Sequence, residues 1–276
     1  MADAKDWTGE LGANWAGLIE AMDRQLAPAA VPGLSALAAQ PGERVIDLGC
    51  GGGPTSLEIA RTVGTEGAVL GLDISPDLLA VARTRADGVA QLDFAEADAA
   101  QHRFAEPPYD ALYSRFGCMF FDDPPAAMAH LRRALHSEGR AVLTVWAEPR
   151  HNLWAMLPAN AATEVLGEAE KPAPGAPGPF GWATEEIFMP ILETAGWRDI
   201  AFSAHDLEME IGVGEGTAEA RAVELCCRIG PMARRLQEAP EAEAELRRVL
   251  APKLTPHVRD GAVRLPGRLR VITALA

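Results

Sequence analysis

A doubly wound α/β fold on a mostly parallel sheet is what this sequence predicts, and three observations predict it. Short apolar runs alternate with helical patterns from Val45 to Trp146, the rhythm of strand–helix repeats. The first run, VIDLGCGGGPT at 45–55, ends in a glycine-rich loop. The run from Arg140 to Trp146 is almost continuously apolar, as a parallel strand covered on both faces must be.

The elements follow in order. Residues 10–40 read as two helices, the first with Leu11, Trp15, Leu18, Ile19 and Met22 on one face. Pro41-Gly42 precedes a strand at Val45–Leu48. Pro54 then opens a helix running to Val63, because proline is pre-set for the first helical position. A second strand spans Ala68–Leu72 and ends at Asp73, and Ser75-Pro76-Asp77 caps the next helix. Leu92–Ala95 and Ala111–Tyr113 are the third and fourth strands. Pro124-Pro125 leads a helix carrying Met128, Leu131 and Leu135, and Arg140–Trp146 is the fifth strand. Beyond it lie an amphipathic helix at 153–166, a proline- and glycine-rich excursion at 171–181 and a helix at 184–195. Strand-like alternation at 199–211, helices near 217–236 and 241–254, and a closing strand at Arg268–Ala274 complete the chain.

Bulk properties narrow the partners. Of 276 residues, 48% are apolar, so a substantial core is available and a disordered chain is excluded. The formal net charge of −14 repels phosphate backbones and anionic membrane surfaces. The Arg132-Arg133, Arg234-Arg235 and Arg247-Arg248 pairs lie in helical patterns and read as solvated helix faces. The start, MADAKDWTGE, does not resemble a secretory leader, and no apolar run is long enough for a membrane span. Cys50, Cys118, Cys226 and Cys227 have no metal-ligand spacing, so neither a metal site nor a disulfide framework is expected. A cytoplasmic protein with a small-molecule substrate fits these properties, and a homodimer is compatible with them.

The chemistry gathers at the strand ends. Asp47, Gly49, Gly51 and Gly53 form D-x-G-x-G-x-G after the first strand, where open α/β sheets bind ligands and where glycine lets a ligand approach the backbone. Asp73 ends the second strand, in place to accept from both hydroxyls of an adenosine ribose, and Ile74 follows it. Asp98-Ala99 follows the third, within reach of an adenine amine. The dinucleotide fingerprint G-x-G-x-x-G is not satisfied: counted from Gly49 the third glycine is Pro54, and from Gly51 it is Ser56. A carboxylate beside the loop also suits a cationic ligand better than a pyrophosphate.

The stretches VIDLGCGGGPT, GLDIS (71–75), EADA (96–99) and SRFGCMFFDDP (114–124) resemble the successive motifs of class I S-adenosylmethionine-dependent methyltransferases, most of all the ubiquinone and menaquinone C-methyltransferase subgroup. The resemblance implies a Rossmann-like, seven-stranded sheet whose last two strands, at 199–211 and 268–274, form an antiparallel hairpin. It implies S-adenosyl-L-methionine as cofactor and S-adenosyl-L-homocysteine as product. Asp47 would hold the methionine amino group, with Gly49 and Gly51 supporting that end. Asp73 and Ile74 would take the ribose, Asp98 and Ala99 the adenine, and Ser114 would sit near the methionine moiety.

One methyltransferase domain over 1–276 is therefore expected. A helical cap at 1–40 and lid segments at 147–183 and 212–260 would cover its site. Trp15, Phe116, Met119 and Trp146 are the expected pocket wall for an apolar or aromatic acceptor. His151 is the candidate base, with Glu148, Asp122 and Asp123 beside it, although Asp122-Asp123 before Pro124 also reads as a helix cap. Two other readings stand beside this one: an NAD(P)-dependent oxidoreductase, and a methyltransferase-like S-adenosylmethionine-binding protein without activity.

Overall fold

In the computed structural model, which describes residues 7–106 and 108–276, the sheet is built from the alternation the sequence predicts. Strands β1 (Arg44–Leu48), β2 (Ala68–Asp73), β3 (Leu92–Glu96), β4 (Tyr109–Arg115) and β5 (Leu135–Trp146) pair in parallel in the order β3-β2-β1-β4-β5. The order reverses between β1 and β4, and a crevice opens at such a switch point.

Beyond β5 come β8 (Ala262–Leu275) and then β6 (Arg198–Ile211) at the edge, with β8 antiparallel to both neighbours. The expected antiparallel pair is thus present. β8 starts six residues earlier than the sequence suggested, because Arg264, Pro266 and Arg268 interrupt its apolar pattern. An eighth, two-residue strand, β7 (Val258–Arg259), folds back on β8. Its turn is Asp260-Gly261, both at positive φ, the pairing that two-residue hairpins favour.

The helices cover both faces. α1 (Glu10–Gly17) and α2 (Ile19–Leu37) precede β1. α3 (Pro54–Val63), α4 (Pro76–Arg85) and α5 (Pro124–Arg133) connect the parallel strands. Ser75 and Asp123 are the N-caps of α4 and α5, accepting from the Leu78 and Ala126 amides. α6 (Leu153–Leu166) and α7 (Glu185–Thr194) follow β5. The two helices expected near 217–254 are three: α8 (Ala218–Arg228), α9 (Pro231–Glu238) and α10 (Glu243–Leu254). Gly230-Pro231 divides the first pair, since proline has no amide to continue a helix.

The inner strands are almost wholly buried, with Val45, Ile46, Ala111, Leu112, Leu143 and Val145 at 0% exposure. Among the described residues no helix is long and apolar enough to cross a membrane. All four cysteines are free thiols. Burial raises the pKa of Cys118 and Cys226 to about 12.

Candidate functional site

The strand ends at the switch point open into a cleft of about 2510 Å³, well beyond the roughly 300–1,000 Å³ of a single small-ligand pocket. Its floor is the loop after β1. Gly49 and Cys50 both donate to the Leu72 carbonyl, at 2.8 and 3.1 Å, which fastens the loop to the end of β2. Gly49 has φ +68°, and a Cβ there would lie 2.7 Å from Gly117 Cα. A Cβ on Gly117 would in turn lie 2.7 Å from the Leu48 carbonyl oxygen. Gly49 therefore serves backbone packing between the ends of β1 and β4. Gly51, at φ +54°, is the glycine with room above it, its nearest neighbour to an added Cβ being Leu78 at 3.9 Å.

Asp73 is tied to this loop. Its Oδ2 accepts from the Gly51 amide at 2.8 Å and its Oδ1 from the Ser75 amide at 2.9 Å. Burial raises its pKa above the ordinary 3.8, and the Ser75, Gly51 and Ile74 amides offset part of that rise. Each oxygen keeps a lone pair for a ligand, and Asp73 and Ile74 both line the cleft. Asp98 and Ala99 stand further along the same wall. The Asp98 carboxylate is exposed and accepts from the Ala100 amide and the Gln101 side chain, at 2.9 and 2.8 Å.

Asp47 and Ser114 lie beneath the floor instead of on it. Asp47 is 1% exposed, and one carboxylate oxygen accepts from Thr55 and Ser56 hydroxyls at 2.8 and 2.6 Å. The other, Oδ1, is buried with no hydrogen-bond partner. Burial raises this carboxyl's pKa; the Ser56 and Thr55 hydroxyls, then Arg115, oppose the shift. Ser114 is fully buried, donates to the Leu48 carbonyl and accepts from the Cys118 amide, so its hydroxyl is spent on joining β4 to β1.

Another part of the lining is aromatic. Phe116 stacks on Trp146 with centroids 4.2 Å apart and planes 10° from parallel. Trp154 and Phe180 continue the row, at 4.9 and 6.0 Å centroid spacings. Phe116 is held at φ +68°, a conformation that costs a bulky residue free energy and that cores over-determine only where geometry demands it. Its amide donates to the Thr144 carbonyl at 2.9 Å, which fixes the turn. Trp15 and Met119 also line the cleft, and Trp7 packs edge-on against both Trp15 and Phe120 near its mouth. All four residues expected to form an acceptor wall thus border one cavity.

His151 does not border it. Its ring accepts from Arg150 at 3.1 Å. Glu148 is engaged by Arg150 and Arg270, at 2.8 and 2.7 Å. Among the described residues no group of His, Cys, Asp and Glu could hold a metal ion.

Two residues with no local signal in the sequence also reach the cleft. Gln25 on α2 is 7% exposed, and its Oε1 is buried without a partner. Arg115, at the end of β4, is half-buried and among the described residues its side chain donates to the Leu26 carbonyl alone, at 3.4 Å. Trp154 and Phe180 were likewise not assigned to the site by sequence pattern.

Residues 45–139 match the sequence model of a methyltransferase domain family, which bears out the resemblance of the glycine loop and the motifs after it. Among curated proteins, the chain is 37% identical over 109 residues to 2-phytyl-1,4-naphtoquinone methyltransferase of Synechococcus elongatus, covering 38% of this chain and 47% of that protein. It is 40% identical over 114 residues to trans-aconitate 2-methyltransferase of Methylobacterium nodulans, covering 40% and 42%. The matches thus span about half the length of these relatives. The crystal structure of a SAM-dependent methyltransferase from Aquifex aeolicus superposes with a TM-score of 0.54 at 13% identity, covering 97% of this chain and 100% of that one. That likeness shows the fold, a class I methyltransferase fold.

Proposed function

We propose that this protein is an S-adenosylmethionine-dependent methyltransferase whose acceptor is a small molecule with an apolar or aromatic body. The observation that carries the reading is a single cleft lined both by Gly51, Asp73, Ile74, Asp98 and Ala99 and by the Phe116–Trp146 stack. The first wall suits an adenosine: free lone pairs on Asp73 for ribose hydroxyls, and an exposed carboxylate on Asp98 for an exocyclic amine. The second suits a flat apolar ring, which stacks on aromatic faces. The volume accommodates both ligands at once, as direct transfer requires.

S-adenosylmethionine supplies a methyl group on a sulfonium whose departing thioether needs no proton. The chain's own part is alignment and exclusion of water. The loop fastened to Leu72 supports one end of the cofactor, and α1 and α2, the 147–183 segment and α8–α9 supply the cover. Of the candidate bases, His151 lies off the cleft and Glu148 is held by two arginines, whereas Asp122 and Asp123 line it, Asp123 also capping α5 through the Ala126 amide.

The charge of −14 favours a small acceptor over a nucleic acid, and the four free thiols favour a reducing compartment such as the cytoplasm. The two relatives act by name on a naphtoquinone and on trans-aconitate, so kinship leaves the acceptor open and the aromatic wall is the better guide.

Calorimetric titration with S-adenosylhomocysteine tests the cofactor. A tritiated-methyl screen over phenols, quinones, isoprenoids and thiols tests the acceptor. Binding of NADH without binding of S-adenosylhomocysteine would restore the oxidoreductase reading, and binding without turnover on any acceptor would restore the inactive one.

A further inference from the structure

We infer that this protein pairs with a second copy of itself through the outer edge of β6, joining the two sheets across a two-fold axis at Phe202, with the outward face of α2 alongside. The inference is independent of the cofactor reading and concerns a different surface from the cleft.

The strand edge comes first. β6 ends the sheet, and among the described residues no strand pairs with its outer side. A row of backbone donors and acceptors is left there for another chain. Both ends of this edge are guarded. Asp199, at φ +50°, sits in a bulge where the register with β8 shifts between Arg198 and Ala201, and a bulge turns an edge away from pairing. At the other end Asp206, Glu208 and Glu210 carry charge, each paired with an arginine of β7 or β8. Between these guards residues 200–204 carry no charge, and 201–204 are exposed. Phe202 stands at their centre.

α2 widens the surface. It packs on β6, and residues 25–42 include no charged side chain. The solvent face of a helix normally carries charged and polar residues, whereas α2 exposes Ala27, Pro28, Val31 and Ser35. Val31 at 63% and Phe202 at 38% are the large apolar side chains left exposed among the described residues. A single one would mean little; two on touching elements in a charge-free strip mark an interaction surface.

Charge and symmetry select the occupant. Each copy carries −14, so two copies repel over most of their surfaces and least where charge is missing. A two-fold contact also needs a patch complementary to itself. An axis normal to the sheet at Phe202 runs the two strands antiparallel, with Ile200 opposite Ala204 and Ala201 opposite Ser203. All five uncharged residues then face uncharged ones, and the two Phe202 rings become cross-strand neighbours. Arg198 of each copy comes to the acidic run 206–210 of the other. An axis at Ser203 would instead set Ile200 against Asp206.

Sedimentation velocity over a dilution series of the full chain tests the inference, with hydrogen exchange at both ends of the series. The wild type should be a dimer that dissociates on dilution, and amides within 200–204 should be better protected at the concentrated end. Ser203→Lys and Val31→Lys each enter the contact twice by symmetry, and each should raise the dimer's dissociation constant at least about tenfold. Lysine lowers the net negative charge, so a change in general repulsion would act in the opposite direction. Both side chains are exposed, and thermal unfolding of the dilute variants should match the wild type. A wild type that sediments as a monomer throughout would overturn the inference and leave the strip to a different partner. A dimer that both lysine variants leave intact, or whose protection lies away from 200–204, would overturn it as well.

Discussion

Replacing Asp73 separates its service to the loop from its service to a ligand. The carboxylate already accepts one backbone amide on each oxygen, from Gly51 and Ser75. A ribose would take the remaining lone pairs. Asp73→Ala removes all of these acceptors. The lost ribose bonds to a charged group are worth roughly 1.5–3 kcal/mol each, so S-adenosylhomocysteine should bind at least about ten times more weakly. The same change strands the Gly51 and Ser75 amides, at about 1–3 kcal/mol for a buried donor, and should lower the ligand-free unfolding temperature by several degrees. Asp73→Asn discriminates between the two effects. It keeps an oxygen acceptor but no charge, and charge-assisted bonds are roughly twice as strong as neutral ones, so its affinity should fall between wild type and Asp73→Ala. The pH dependence supplies a further check. Because burial raises the Asp73 pKa above 3.8, wild-type affinity should decline as pH falls through that raised value, while Asp73→Asn should lack this component. Calorimetry from neutral pH downward, beside thermal unfolding of each variant, reads all of this. An Asp73→Asn protein that is folded and binds with wild-type affinity at neutral pH would refute the ribose assignment.

Three further outcomes follow from particular contacts. Gly117→Ala should cost about 1–3 kcal/mol or block folding, since its Cβ would meet the Leu48 carbonyl oxygen and Gly49 Cα at 2.7 and 2.9 Å, and backbone cannot swing aside; a denaturant midpoint equal to wild type would contradict this. Glu43→Gln should cost about 1 kcal/mol through its paired contacts with Arg140 at 2.8 and 2.7 Å. Burial pulls the Glu43 pKa up, but Arg140 and the Gln40 amide outweigh it and leave it below 4.5. The stabilisation is therefore full above pH 4.5 and is lost as pH falls through the lowered value, a component that acid unfolding of the glutamine variant should lack. Phe116→Leu should raise KM for an aromatic acceptor by about 2- to 10-fold while leaving S-adenosylhomocysteine affinity within about twofold; a loss of cofactor affinity alone would move Phe116 to the other ligand.

The parts of the fold legible in the sequence are those set by local rules. β1 and β2 are apolar runs with punctuation at their ends, and both were read within a residue or two. β4 was read as Ala111–Tyr113 and runs from Tyr109 to Arg115, because Asp110 looks like a loop residue until its partners are seen. It accepts from the Arg44 amide and lies 3.0 Å from His136, both distant in sequence. Leu135 was placed on a helix face and begins β5, since His136, Ser137 and Glu138 hide a strand behind polar side chains. The Asp260-Gly261 hairpin carries a local signal of its own, the Asp-Gly pair at positive φ. The site divides the same way. Asp73, Ile74, Asp98 and Ala99 follow strands and reach the cleft as strand-end residues should. Asp47 belongs to the same motif yet lies under the loop, because a residue inside a buried strand points wherever the pleat sends it. Arg115 meets the Leu26 carbonyl across 89 positions, and no periodicity records such an encounter.

The N-terminal helices connect cover and floor. Arg85, from α4, donates to the Gly52 carbonyl at 3.1 Å and pairs with Asp23 of α2 at 2.7 Å. One guanidinium thus holds the glycine loop and the helix that carries Gln25. Arg115 makes the second tie to α2, through Leu26. The helix is tied to the floor at two points about a turn apart, and its Met22 and Gln25 line the cleft. The glycine loop, the end of β4 and the N-terminal helices are therefore tied together through the same few side chains, Asp23, Arg85 and Arg115.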